Sequence, residues 1–286
     1  MSGAAEHNRD DESSESEDSV GGVSEREVED VEERSRLRVP VIYEIVRREG
    51  ETEMARPTVS LCWSGLAAGL SLSFSLLAQA VLHRLLPDAG WRPLVTGFGY
   101  CFGFLIVVLG RQQLFTENTV TAVLPVFAEP TLAHFRSLVR MWVVVFVANL
   151  VGTLAAAAFC TFTPVIPPEL RDAMLALSGH VAAGTWVTMF FGGITSGFLI
   201  ATMVWLIPSA EGTQFHVITV VTYLIAIGSF PHVIAGSMDA FMLLLGGHWG
   251  VGEMLAHFTI PVLFGNIVGG TVLFALLSYA QVMHEM

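Results

Sequence analysis

Between positions 57 and 284 the chain alternates long uncharged apolar runs with short polar interruptions. The runs cover 57–83, 93–110, 141–168, 173–210, 212–238 and 254–284. Each offers about the 20 residues that a helix needs to cross a bilayer core. The pattern predicts an all-α membrane protein with six transmembrane helices. Their expected limits are 57–83, 92–126, 134–160, 178–207, 214–245 and 254–280, with a Pro-rich loop at 164–168 after the third.

Two of these helices do not fit as single spans. A helix over 92–126 would be more than about 50 Å long at 1.5 Å per residue, against a hydrocarbon core of about 30 Å. Its middle reads R-Q-Q-L-F-T-E-N at 111–118. The fifth helix is interrupted by G-S-F-P-H at 228–232, where Pro231 removes a backbone donor. A broken helix leaves backbone groups unpaired in lipid and survives only where it lines a cavity or is buried in protein. Helices 2 and 5 are therefore expected to be broken and to line a solute pathway.

An internal repeat gives the same topology. Positions 148–154 read A-N-L-V-G-T-L and 265–271 read G-N-I-V-G-G-T. Asn149 and Asn266 are 117 residues apart; Phe115 and Phe230, at the two breaks, are 115 apart. Helices 2 and 3 then correspond to 5 and 6. Three spans per unit is odd, so successive units have opposite orientation. This is a 3+3 inverted repeat.

The net charge of −12 changes little, because it sits in the amino-terminal segment: 1–33 holds thirteen acidic residues against Arg9 and Arg26. Segment 1–35 is Ser-rich and apolar-poor, and is expected to be a disordered cytoplasmic tail. Segment 36–56 mixes apolar and basic residues. It is either an amphipathic helix on the membrane surface or a juxtamembrane linker. The channel domain would occupy 57–286. Arg34, Arg36, Arg38, Arg47, Arg48 and Arg56 precede the first helix, and Arg136 and Arg140 open the third. The opposite side would hold Arg84, Arg92 and Arg171. This bias places both termini in the cytoplasm, in what is expected to be a bacterial inner membrane. All basic residues are Arg, and nothing in the pattern explains it. Cys62, Cys101 and Cys160 sit in apolar runs without paired spacing, which argues against disulfides or zinc. The histidines show no metal-ligand spacing, and no metal or cofactor is expected.

The motifs resemble the formate/nitrite transporter (FNT) family. L-F-T at 114–116 is similar to the family's G-x-[DE]-L-F-T at the first break. F-P-H-V-I-A at 230–235 is similar to its F-E-H-[SC]-[IV]-A-N-M at the second. A-N-L-V-G and G-N-I-V-G-G are similar to its third- and sixth-helix motifs. The ordered set spans about 57–280. The departures indicate the divergent YfdC-like branch: Gln112 and Gln113 replace the usual acid, Arg111 and Glu117 add charge, and Pro231 stands for Glu. The resemblance implies a homopentamer in a lipid bilayer. Each aquaporin-like protomer would have its own pore for a small monovalent anion or its acid. No nucleic-acid partner is expected.

Within that frame the residues take roles. His232, ionisable at membrane depth, reads from the sequence either as a pore group that offers a permeating anion a proton or as a neutral histidine bonding loop carbonyls; the resemblance favours the pore. Thr116 is expected to cap a half-helix beginning at Glu117 and, by resemblance, to face the pore. The two half-helices would aim their positive ends at mid-membrane. Leu114, Phe115 and Phe230 would lie at the breaks. Phe104 and Ile225 would form a slit on the cytoplasmic side, with Tyr100 one turn away. Asn149, Asn266 and Asn118 would support the loops. Arg111 and Glu117 are expected to pair across the first break, the alternative being a gate or proton site. His180 reads as interfacial, and Asp239 has no assigned role. A neutral-solute pore of the aquaporin kind is the competing transport reading, although Asn118, Asn149 and Asn266 are not followed by Pro-Ala. A non-transporting sensor is another. An enzyme is not expected, since the breaks carry no catalytic cluster of nucleophile, metal ligands or paired carboxylates.

Overall fold

In the computed structural model, residues 37–285 are described, and every regular element among them is helical. The expected tail at 1–35 lies outside these residues. The helices are α1 (Val39–Ala55), α2 (Thr58–Leu85), α3 (Arg92–Leu109), α4 (Leu124–Ala128), α5 (Leu132–Phe162), α6 (Pro168–Ala183), α7 (Trp186–Ser209), α8 (Gln214–Ile227), α9 (Ala235–Leu245) and α10 (Val251–Met283). Of these, α2, α3, α5, α7 and α10 are long and apolar enough to cross a membrane; α8 and α9 are apolar but shorter.

Two helix limits differ from the sequence expectation. Residues 178–183 close α6, and the fourth apolar helix starts only at Trp186. The reason is a capping box: Thr185 Oγ1 accepts from the Thr188 N–H at 3.2 Å, and Thr188 Oγ1 accepts from the Thr185 N–H at 2.9 Å. The helix expected over 92–126 with a break at 111–118 stops at Leu109, and the half-helix expected from Glu117 does not form as one continuous helix. The chain then runs irregularly through one 3₁₀ turn at Glu117–Thr119 and the five-residue α4.

Helix pairing rests on small residues. Helix α2 lies along α5, and α7 lies along α10. A Cβ at Gly69 would sit 2.2 Å from the carbonyl oxygen of Asn149; one at Gly197 would sit 2.4 Å from that of Asn266. Only a hydrogen fits where two helix backbones approach this closely. Ser73 Oγ donates back to the Gly69 carbonyl at 2.9 Å, in the turn where α2 is interrupted. Helix α3 packs between α2 and α8, and α9 packs against α5 and α6. The outward side of α5 and α10 stays apolar, with Val143, Val147, Val151, Phe264 and Leu277 all exposed. Such a surface suits lipid or another subunit.

Segment 36–56 forms a helix over most of its length, and its apolar stripe faces protein. Ile42, Tyr43, Val46, Gly50 and Met54 are buried, about one turn apart. Glu44 pairs with Arg47 and Arg48, and Arg47 with Glu51, on the charged side. Hydrogen bonds from Arg47, then Arg48, hold the Glu44 carboxyl down at about 2. The rings of Tyr43 and Tyr279 lie 6.2 Å apart, so α1 and the end of α10 meet on one face of the molecule.

The helix–helix contact at Gly197 generates a test. Gly197→Val overfills a backbone contact and should destabilise the protein by about 1–3 kcal/mol, read as a lower unfolding temperature in detergent. Gly179→Ala, where an added Cβ meets nothing within 4 Å, should leave that temperature unchanged or slightly raised.

Candidate functional site

Helices α3 and α8 end in the same way. After Leu109, Gly110 caps the helix and Arg111 takes a left-handed conformation at φ 50°. After Ile227, Gly228 caps and Ser229 sits at φ 51°. The Gln112 N–H then reaches back to the Val107 carbonyl at 3.0 Å, and the Phe230 N–H to that of Ile225 at 3.1 Å. Both are Schellman-type closures with a non-glycine residue at the left-handed position, where a Cβ costs about 1 kcal/mol or more.

Beyond each closure the chain runs irregularly for several residues, and one asparagine holds it. Asn149 Oδ1 accepts from the Phe115 N–H at 2.9 Å, and its Nδ2 donates to the carbonyls of Gly65 (2.8 Å) and Gln113 (2.9 Å). Asn266 Oδ1 accepts from the Val233 N–H at 2.9 Å, and its Nδ2 donates to the Gly193 carbonyl at 2.8 Å. The two breaks thus match at Gly110 and Gly228, Arg111 and Ser229, and Phe115 and Val233. That offset replaces the sequence pairing of Phe115 with Phe230, which rested on shared ring chemistry rather than backbone position. Leu114 becomes the counterpart of His232.

The breaks meet at a hydrogen bond. Thr116 Oγ1 lies 2.7 Å from His232 Nε2, with Thr116 fully buried and His232 1% exposed. The other ring nitrogen of His232, Nδ1, accepts from the Ala235 N–H at 3.1 Å, in the first turn of α9. Nδ1 therefore carries the lone pair and Nε2 the proton. The imidazole is neutral and donates to Thr116. The threonine hydroxyl keeps its own proton to donate elsewhere. Thr116 is thus not a helix cap: its hydroxyl meets the histidine, and the turn at Glu117–Thr119 has no side-chain cap. Phe104, fully buried, stands edge-on to the imidazole with centroids 5.1 Å apart.

The pair stands between two cavities. One, about 400 Å³, opens beneath α1 and is lined by Glu49, Glu53, Arg111, Gln113, Glu117 and Asn118 among others. The second, about 330 Å³, is lined by Tyr100, His180, Ile225, Phe230, His232 and Asp239 among others. The two share no lining residue, and Phe104, Leu114 and Thr116 have no exposed surface. Ile225, expected with Phe104 at a slit, and Tyr100, expected one turn away, line the second cavity, whereas α1 lines the first. Phe115 turns away from the histidine and packs edge-on against Trp142 and Phe146 of α5, at 5.8 and 5.1 Å.

The expected Arg111–Glu117 pair does not form. Arg111, in its left-handed turn, points outward with its side chain 81% exposed, and bonds Glu49 of α1 at 2.8 Å. Glu117 faces the first cavity with Oε1 buried and unpartnered. Asn118 Nδ2 donates to Gln113 Oε1 at 3.2 Å, and its carbonyl accepts from Trp142 Nε1–H at 3.0 Å. The sequence reading noted Gln113 only as a replacement for the usual acid; its amide also donates to Glu53 at 2.5 Å. It overlooked Ser196, which donates to the Pro231 carbonyl at 2.5 Å and accepts from Asn266 at 3.0 Å. Asp239, 6% exposed, accepts from Ser178 at 3.0 Å. Among the described residues, no three His, Cys, Asp or Glu side chains gather as metal ligands.

Comparison with known proteins gives a consistent picture. The family model described as "Formate/nitrite transporter" matches residues 40–280. The chain is 42% identical over 263 residues to the inner membrane protein YfdC of Escherichia coli (strain K12), covering 91% of this chain and 84% of the relative. It is 28% identical over 244 residues to the formate channel FocA of Haemophilus influenzae, covering 76% and 84%. Among solved structures, a pentameric formate channel with formate bound superposes with a TM-score of 0.67 at 20% identity, covering 79% of this chain and 98% of that one.

The hydrogen bonds rank two substitutions. Asn266→Ala strands the buried Val233 N–H and should cost on the order of 3 kcal/mol. Arg111→Ala removes an exposed ion pair and should cost less than about 1 kcal/mol. Thermal unfolding of both variants in one detergent checks the order.

Proposed function

Because the chain belongs to the formate/nitrite transporter family, we propose that it carries a small monovalent anion, or its acid, across a membrane. The observation that carries this reading is the Thr116–His232 hydrogen bond, set between two cavities at the meeting of two helix breaks.

In this reading α2, α3, α5, α7, the α8–α9 pair and α10 are six spans in two inverted sets of three. The breaks after Leu109 and Ile227 interrupt the second and fifth. The matching closures and the matching asparagine contacts support the repeat. The pentameric formate channel supports a homopentamer. The E. coli relative supports an inner-membrane location. The arginines of α1 support cytoplasmic termini.

The chemistry follows from the donors. Inside the constriction an anion loses its water and needs hydrogen bonds in exchange. The Thr116 hydroxyl proton is free to supply one, because His232 Nε2–H already satisfies its oxygen. The amino end of α9, beside His232, adds a positive dipole end without a full buried cation. Phe104 and Leu114 close the passage to bulk water. His232 acts here as a hydrogen-bond donor through Nε2–H and keeps that proton, since losing it would leave an imidazolate. Protonating Nδ1 instead would set two N–H groups against each other at Ala235.

Purified protein in liposomes should pass formate, nitrite or hydrosulfide faster than glycerol. Thr116→Val and His232→Asn should each lower that flux about tenfold or more, as expected for one lost hydrogen bond at the barrier. A His232→Asn protein with wild-type flux across the pH range would sink the histidine's role. Passage of glycerol alone would sink the anion reading.

A further inference from the structure

On the outer wall, away from the pore, an apolar groove ends at two arginines. Helices α2 and α5 run side by side in the same direction, since Gly65 meets Ala148 and Gly69 meets Asn149 and Gly152. Between them lies a groove of about 440 Å³, lined by Trp63 and Leu66 of α2 and Val143, Val147 and Val151 of α5 among others. No charged residue lines it. Trp63 is 68% exposed on its edge. The outward stripe of α5 continues beyond the groove to Arg140 and Arg136, at the helical spacing 136, 140, 143, 147, 151. Both arginines are exposed. Among the described residues, neither pairs with a carboxylate. Arg140 Nη2 donates to the carbonyls of Met54 at 2.5 Å and Arg56 at 3.2 Å, which ties its guanidinium to the chain just before α2, at the end of the groove.

We propose that this face is a site for one anionic phospholipid, with its phosphate at Arg136 and Arg140 and an acyl chain along Trp63, Val143, Val147 and Val151. The length fits. From Arg140 to Val151 the helix rises about 16 Å at 1.5 Å per residue, close to half of a hydrocarbon core of about 30 Å, the depth of one leaflet. The charge fits as well. A guanidinium matches phosphate oxygens in a two-pronged pair, and Arg140 keeps N–H groups beyond those of Nη2. The other half of the fold lacks this pair. At the offset of 117 residues that relates Asn149 to Asn266, Arg136 and Arg140 correspond to Glu253 and His257, and Val147 to Phe264. The arginines therefore mark only the membrane face on which α1 meets α2. With cytoplasmic termini, that is the leaflet where anionic lipids gather. The inference rests on this membrane placement and not on what the pore carries.

Fluorescence of Trp63, taken as the difference between wild type and Trp63→Phe, tests this in vesicles where either phosphatidylglycerol or phosphatidylcholine carries brominated acyl chains. Bromine quenches an indole only at close range. The apparent affinity for phosphatidylglycerol should exceed that for phosphatidylcholine by on the order of tenfold, for two arginines at the surface. Arg136→Gln combined with Arg140→Gln should abolish the preference. Arg136→Gln alone, which keeps the Arg140 contacts to the backbone, should lower it about threefold. Equal quenching by both lipids in the wild type overturns the proposal, as does a preference that survives these substitutions. So does a Trp63 that neither lipid quenches, the result expected if another subunit covers the groove. A protein that prefers phosphatidylglycerol yet passes no small solute keeps the lipid site and loses the transport reading.

Discussion

A helix that stops inside an apolar protein frees backbone groups that water cannot reach, and leaving one unpaired there costs a few kcal/mol. Two asparagines answer that constraint. Asn149 and Asn266 each bind a neighbouring helix carbonyl with Nδ2 and a loop N–H with Oδ1. An amide suits the task because it donates and accepts at once without charge. The glycines are tied to the same residues. Gly69 and Gly197 bring α2 and α7 against the backbone of Asn149 and Asn266, so a side chain there would lift the asparagine away from its loop.

With the two loops held alike, their differences become informative. Leu114 and His232 occupy equivalent positions, and so do Thr116 and Ile234. Each half contributes one polar residue that the other lacks. The two meet across the centre as a single hydrogen bond of 2.7 Å. The two loops thus produce one site rather than two, since Leu114 and Ile234, both fully buried, supply only apolar bulk.

Much of this was legible along the chain, wherever a feature was local. The apolar runs marked the long helices, a span too long for a membrane marked the first break, and Pro231 marked the second. Asn149 and Asn266 stood out through their repeated neighbours. What stayed hidden depends on partners distant in sequence. Arg111 looked like a partner for Glu117 because they are neighbours along the chain. A left-handed turn at Arg111 instead sends the guanidinium to Glu49 on α1. Thr116 looked like a cap because a helix was expected after it, but the chain there makes only one 3₁₀ turn. Phe115 looked pore-facing, yet its backbone N–H is bound by Asn149 of α5, which directs the ring into the aromatic side of that same helix. Helix ends at Leu109 and Ala183 are set by closures and caps that apolar patterning does not encode.

The misplaced ion pair changes how the first break works. Had Arg111 neutralised Glu117, the break would be closed electrostatically and the cavity beneath α1 would end in a salt bridge. Instead Arg111 fastens α1 from outside. Gln113 fastens it from inside, through Glu53, while its carbonyl is held by Asn149. The same asparagine that satisfies the broken backbone thereby positions the residue that anchors α1. Helix α1 is bound to the break itself, not merely laid on the membrane face. Glu117 is left as the acid that nothing on the helix or the loop neutralises. Its environment is a consequence of where the loop's hydrogen bonds go. Relatives of this chain are named for formate and nitrite, and at this mouth a carboxyl group stands next to the central threonine.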